Sequence, residues 1–366
     1  MITAHINRIG TAVPPHDVHA FFVDFARTLL GDDRRRHVFD RMSERCGIAH
    51  RFSIFCPACT EESETAALDA DAFYRRGRFP TTASRMALYA PHALDLALQA
   101  AAAAGIARHT PAAQAITHLI VASCTGLAAP GLDLQLAERL DLRPTLERTM
   151  IGFMGCSAAI PALRAAHHIV RSEPSARVLV INLELCTLHL QETADLETLL
   201  SFLLFGDGCA AAVVSAEETG IALRDFRAVV IPGSQELITW RIGDQGFDMR
   251  LSGQVPARIA QALRAELGRA DDGGILRGIG TQAIDLWAVH AGGRTVLDAV
   301  EAGLSLGPEA LTHSRGVLHD FGNMSSATVM FVLQRMLRTC RAGARGLAMA
   351  FGPGMVAETA RFTIAG

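Results

Sequence analysis

Ile151-Gly152-Phe153-Met154-Gly155-Cys156-Ser157-Ala158-Ala159 is an apolar approach that ends in small residues. It runs straight into a helical pattern, Ile160, Leu163, Ala166, His167 and Val170, closed by Ser172-Glu173-Pro174. A cysteine in the first turn of a helix lies near the positive end of the macrodipole, which favours thiolate over thiol. Gly155 lets the backbone turn sharply and lets a substrate come close. The plain alternative is a buried cysteine packing as a small hydrophobe. Two later segments weigh against it.

Outward from that helix, short β-type runs alternate with helical ones, which implies a layered α/β fold. Before it, residues 2–9 read as a strand, 17–30 and 34–45 as helices, and 82–104 as a long Ala-rich helix. Residues 118–123 read as a buried strand and 133–140 as a helix. After it come a strand at 177–182, a helix at 196–204, a tight turn at Gly206-Asp207-Gly208 and a strand at 209–214. Past residue 220 the pattern restarts: strand 221–230, helix 256–267, strand 285–290, helices 294–302 and 325–339, strand 346–351. The similar succession on each side suggests two related halves, 1–219 carrying the cysteine and 220–366, with the active centre between them.

The chain has 366 residues, half of them hydrophobic and 19% charged, enough for a large core. A net charge of -3 gives no basic field for nucleic acid. Arg34-Arg35-Arg36 with Arg41 and Arg45, and Arg75-Arg76 with Arg78, suit a small anionic ligand better than a polymer; a solvated helix face is the other reading. Eight cysteines scattered through apolar surroundings are no disulfide framework and point to a reducing cytoplasm. Cys56-Pro57-Ala58-Cys59 has CxxC spacing without a second pair, so no metal is expected there. The N-terminus lacks a signal peptide's apolar core, and no run of about 18 apolar residues reads as a transmembrane segment.

His290 stands at the end of a buried strand before a glycine pair, where ligand contacts gather in open α/β sheets. Asn323 lies in His319-Asp320-Phe321-Gly322-Asn323-Met324-Ser325-Ser326, a turn opening a helix. Separately, His290 reads as a core histidine and Asn323 as a turn or N-cap residue. With Cys156 they make a set suited to thioester chemistry. His290 can take the thiol proton and hold a thiolate–imidazolium pair. The His Nε2–H and the Asn amide N–H can then both donate to a thioester oxygen, stabilising the enolate left when a malonyl group loses carbon dioxide. Papain-like proteases share these residue types, but with Gln upstream and an aromatic after the cysteine.

In five ordered motifs the chain resembles the type III polyketide synthases, the chalcone and stilbene synthase-like branch of the thiolase superfamily. They are Gly152-Phe153-Met154-Gly155-Cys156, Leu204-Phe205-Gly206-Asp207-Gly208, Trp287-Ala288-Val289-His290-Ala291-Gly292-Gly293, Gly322-Asn323-Met324-Ser325-Ser326 and Phe351-Gly352-Pro353-Gly354. The resemblance implies a thiolase-like αβαβα layered fold of two related halves and a homodimer. It implies an acyltransferase working on acyl-CoA and malonyl-CoA, with no cofactor. By it, Cys156 carries the acyl group, His290 and Asn323 drive decarboxylation, and Phe205 is a gatekeeper. Met249 stands at the second gatekeeper position, where a thioether deforms more readily than a ring. Arg41 and Arg45 match coenzyme A phosphate contacts, Val38 replaces an expected lysine, and Gly292 and Gly293 fall in the coenzyme A-binding set. Ala129 replaces a methionine that in plant members reaches into the partner's cavity.

Residues 182–191 and 239–244 are most similar to bacterial alkylresorcinol and alkylpyrone synthases, which take fatty acyl starters. Cys124, Thr125, Cys186, His189 and Met249 occupy matched cavity positions and would leave room for an acyl tail, at about 0.8 kcal/mol per buried CH₂. Trp240 reads as a wall that bends the polyketide toward aldol closure, or as a lone buried aromatic. The expected activity is therefore two or three malonyl-CoA extensions of an acyl group on Cys156, with release of an alkylresorcinol or alkylpyrone. Alternatives are a single-extension ketoacyl synthase-type enzyme and a non-catalytic acyl-binding subunit. The starter would arrive on coenzyme A or on an acyl carrier protein.

Overall fold

The computed structural model describes residues 2–58 and 67–366. A nine-stranded mixed sheet runs through the molecule in the order Leu286–Val289, Arg345–Gly352, Val356–Ile364, Ile221–Val230, His5–Ala12, Asp207–Ser215, Val178–Leu185, His118–Ala122, Glu147–Ile151. The first four strands belong to the C-terminal half and the other five to the N-terminal half. They join at a narrow seam, where His5 pairs with Ala222 and Ile6 with Ile221. His118–Ala122 runs parallel to both its neighbours, and Leu286–Val289 parallel to Arg345–Gly352; the other pairings are antiparallel.

Helices cover both faces of each half-sheet, which is why the inner strands read as unbroken apolar runs rather than as alternation. Val178–Leu185 and Asp207–Ser215 are buried at every position. Between the half-sheets lie Ala159–Ser172 and Thr328–Thr339, each packed on strands of both halves. Thr82–Ala103 and Leu132–Arg139 cover the N-terminal half outside, and Val255–Arg264 with Arg294–Leu304 cover the C-terminal half. The layering is αβαβα and thiolase-like. Burial of alanine-rich faces such as Ala93, Ala97, Ala100 and Ala101 lets the long helix lie close on its sheet.

Most expected elements form within a few residues of their anticipated ends. Several features depart from expectation, among them the strands Glu147–Ile151 and Val356–Ile364, for which the sequence offered no counterpart. Helix 325–339 starts as a 3₁₀ turn at Ser325–Ala327 before Thr328–Thr339. A further helix, Thr312–Phe321, precedes the Asn323 loop. Two strands, Ile238–Gly243 and Gly246–Leu251, pair as a separate antiparallel ribbon. No helix among the described residues is long and apolar enough to cross a membrane. Cys56 is exposed, and Cys59 lies outside the described residues.

Candidate active site

Cys156 sits in a 3₁₀ turn, Gly155–Ser157, which feeds the inter-sheet helix Ala159–Ser172. The turn needs glycine at 155. Its φ is +57°, and a Cβ there would meet Pro353 Cδ at 2.5 Å. The turn thereby packs directly on the Phe351-Gly352-Pro353 end of the C-terminal sheet. His290 follows the strand Leu286–Val289, its N–H donating to the Met349 carbonyl (2.8 Å). Asn323 follows Thr312–Phe321; its N–H donates to the Leu204 carbonyl (2.9 Å), and its own carbonyl accepts from the Gly206 N–H (3.0 Å). Three loops from two halves thus meet.

They open on one cavity of about 710 Å³, counting its mouth, lined by Cys156, His290 and Asn323 together with Cys124, Phe205 and Gly292. Trp240 and Met249, cross-strand partners in the ribbon, form another wall. The Asn323 amide is oriented by its own turn: Oδ1 accepts from the Ser325 N–H (2.8 Å), while Nδ2 donates to the Gly292 carbonyl (3.3 Å) on the cavity wall. The amide N–H₂ therefore faces the side on which Cys156 and His290 lie. Both His290 ring nitrogens are buried without a partner among the described residues, a free donor and acceptor in the cavity wall.

Burial dominates the electrostatics. It pushes the Cys156 thiol up to about 11, with contacts to Ser325 and Asn323 pulling the other way, and it lowers His290 to about 3. Desolvation thus opposes the thiolate that the start of the helix would favour. The helix proper begins three residues after Cys156, and desolvation outweighs its field.

Three expected cavity residues lie elsewhere. Thr125 is turned behind the wall, its hydroxyl donating to Glu184 (3.0 Å) and accepting from the Leu185 N–H (2.9 Å). His189 supports the wall from behind, stacked on Phe247 with ring centroids 4.2 Å apart. Its Nε2–H donates to the Thr125 carbonyl (2.8 Å) and its Nδ1 accepts from the Phe247 N–H (3.0 Å), so it is held neutral. Burial lowers it to about 4. Cys186 faces a second chamber of about 600 Å³, lined largely by apolar side chains including Phe21, Phe22, Phe25, Leu190 and Phe202. Phe205 lines both chambers and stands between them.

Gly293 caps the helix Arg294–Leu304 and does not line the cavity. Arg41 and Arg45 lie exposed on Asp33–Arg45, whose far face buries Phe39. At 100° per residue, Arg34 shares their face, and the Arg45 carbonyl accepts from Arg294 (3.2 Å) beside Gly293. Sequence reasoning missed Phe153, Ser325 and Pro353, which also line the cavity. Their signal was adjacency to Cys156, Asn323 and Gly352.

Comparison with known proteins agrees over the whole length. Residues 2–218 match the family model for chalcone and stilbene synthases, N-terminal domain, and residues 223–363 match that for the C-terminal domain. The chain belongs to the chalcone and stilbene synthase family. It is a type III polyketide synthase, a condensing acyltransferase. Among its relatives, a bisdemethoxycurcumin synthase of Oryza sativa subsp. japonica is 35% identical, across 97% of this chain and 91% of that protein. The α-pyrone synthesis polyketide synthase-like Pks18 of Mycobacterium tuberculosis is 32% identical, across 81% and 77%. Among solved structures, PKS-I of the brown alga Ectocarpus siliculosus superposes with a TM-score of 0.85 at 28% identity, covering 100% and 99% of the two chains. The 1,3,6,8-tetrahydroxynaphthalene synthase of Streptomyces coelicolor A3(2) gives 0.84 at 28%, covering 99% of each. The family's chemistry thus attaches to a fold whose Cys–His–Asn loops share one chamber.

Proposed function

We propose that this type III polyketide synthase loads a long fatty acyl group on Cys156, extends it two or three times with malonyl-CoA, and releases an alkylresorcinol or alkylpyrone. In loading, the Cys156 sulfur attacks the acyl-CoA carbonyl while its proton passes to His290. The C–S bond to coenzyme A breaks, and its thiolate takes that proton. In extension, malonyl-CoA loses CO₂ and the electron pair stays as an enolate, whose oxygen accepts from His290 Nε2–H and the Asn323 amide. The enolate carbon attacks the Cys156 thioester, forming the new C–C bond and expelling the Cys156 sulfur. Loss of CO₂ supplies the driving force and cysteine carries the chain, so this chemistry calls for no cofactor.

The observation that carries the reading is the pair of chambers meeting at Phe205. The polar trio lines one, and the other is apolar enough for an alkyl tail at about 0.8 kcal/mol per CH₂. Trp240, whose indole N–H is buried without an acceptor among the described residues, narrows the first chamber and offers a donor to a keto oxygen of the chain. Arg34, Arg41 and Arg45 would meet the phosphates of coenzyme A, or of a carrier protein's phosphopantetheine. A homodimer would form over the free edge of Glu147–Ile151, around which four of the nine exposed large apolar side chains gather: Leu127, Leu134, Met150 and Met154.

Purified protein given malonyl-CoA and acyl-CoA starters from two to eighteen carbons, with p-coumaroyl-CoA beside them, tests this by mass spectrometry of the products. Ring products from long starters are expected, and Cys156→Ala should abolish them. Preference for short or aryl starters, or activity surviving in Cys156→Ala, would overturn it.

A further inference from the structure

Glu184 is the last residue but one of the strand Val178–Leu185, fully buried, and has no ion pair among the described residues. The ionisable groups facing it from the packed elements are thiols and a phenol: Cys124, Cys156, Cys186, Cys209 and Tyr89. Its carboxylate is held by hydrogen bonds alone. Oε2 accepts from the Cys124 N–H (2.9 Å) and the Thr125 hydroxyl (3.0 Å), and Oε1 from the Ser326 hydroxyl (2.6 Å).

Those partners belong to the two loops that carry the chemistry. Cys124 accepts at its sulfur from the Gly155 N–H (3.1 Å), one residue before the nucleophile. Ser326 sits in the 3₁₀ turn Ser325–Ala327, immediately after the Asn323 loop; Ser325, between them, is held at φ +46°. A lone buried carboxylate is a costly way to join two loops, since a neutral amide could make most of the same contacts, all but that of the Ser326 N–H. Its charge adds something an amide would not: it opposes a negative charge on Cys156.

We propose that Glu184 is a positioning residue of the condensing reaction, pinning the Cys156 loop to the Asn323 loop while its charge governs how readily Cys156 ionises. The second half rests on the reading of Cys156 as acyl acceptor. The charge penalises free thiolate but not the neutral thioester. It therefore weighs on every step that expels the sulfur as thiolate, condensation as well as loss of the chain. Burial raises Glu184 to about 7, so the restraint strengthens as pH rises through neutrality.

Glu184→Gln separates charge from clamp. Its Oε1 can accept from Cys124 and Thr125 and its Nε2 can donate to the Ser326 hydroxyl, so three contacts stay, the Ser326 N–H contact is lost and the charge goes. The readout is iodoacetamide labelling of Cys156 against pH in the full-length protein, followed on the Cys156 peptide by mass spectrometry, with Cys156→Ala as blank. The labelling curve of Glu184→Gln should shift to lower pH by about one unit, about tenfold faster labelling at neutral pH. It should also lack the inflection near 7 expected of wild type. An unchanged curve overturns the electrostatic half. Ser326→Ala removes the hydroxyl contact, the shortest of the set, weakens the clamp and keeps the charge: kcat for condensation should fall about tenfold or more with the labelling curve unmoved, and wild-type kcat overturns the pinning half. Condensation by Cys156→Ala would instead sink the acyl-acceptor reading, leaving the labelling result to speak for Glu184 alone.

Discussion

Asn323 owes its direction to its own turn, because the Ser325 N–H fixes Oδ1 and leaves the amide nitrogen for the cavity. Replacing Asn323 by Ala should therefore cut malonyl-CoA decarboxylation and condensation by on the order of 10²–10³-fold, the cost of one oxyanion donor. Loading needs the Cys156 sulfur first, so intact-mass spectrometry should still show acyl-Cys156; loss of both together would place Asn323 in loading instead. The three polar residues were legible because each stands beside glycines that a chain uses only where the backbone must turn or approach. Thr125 and His189 were not placed correctly, and Cys186 lines the apolar chamber rather than the one that holds the polar trio. The strand ends at Ala122 and the chain bends at 124–125, so Cys124 reaches the chamber while Thr125 reaches Glu184, a turn that strand alternation does not foretell. Glu184 itself carried no local signal, since its three donors come from loops about 60 and 142 residues away.

Among the elements, the fully buried strands were readable from continuous apolar runs, and the helices from their period. The edge strand Glu147–Ile151 was not: four of its five residues are exposed and none alternates, so only its ladder with His118–Ala122 makes it a strand. The Trp240 ribbon escaped for a similar reason, as Ile238–Gly243 contains no fully buried residue. These two elements flank the nucleophile, one at the outer edge and one over the cavity. The 3₁₀ turn Cys186–His189 offers the test of the apolar chamber, because Cys186 lies on its wall. Cys186→Phe should exclude about four methylenes, worth about 3 kcal/mol of binding. In kcat/KM that is on the order of 10²-fold for sixteen-carbon acyl-CoA, with little change for four carbons. Equal losses for both starters would argue that the tail lies elsewhere.

Across the whole molecule, buried histidines set the response to acid. Burial lowers His19, His167 and His189 to about 4 and His290 to about 3. The unfolded chain takes up these protons near the ordinary 6.5, so stability is lost as pH falls below that value. Glu184, raised to about 7, and Asp207, raised to about 6, act oppositely, holding protons in the fold that the unfolded chain releases. Four groups outweigh two, and calorimetry should find Tm falling steadily from pH 6.5 to 4.5; a flat or rising Tm would contradict the burial of these histidines. The narrow seam between the half-sheets has a consequence for biosynthesis. His5–Ala12 leaves the ribosome about two hundred residues before either neighbour it will pair with. At 5–20 residues per second that is a wait on the order of 10 to 40 seconds. For that interval a strand with both edges bare must be kept from pairing with other nascent chains, which makes the amino terminus the place where a chaperone or a solubilising fusion would most improve the yield of native protein.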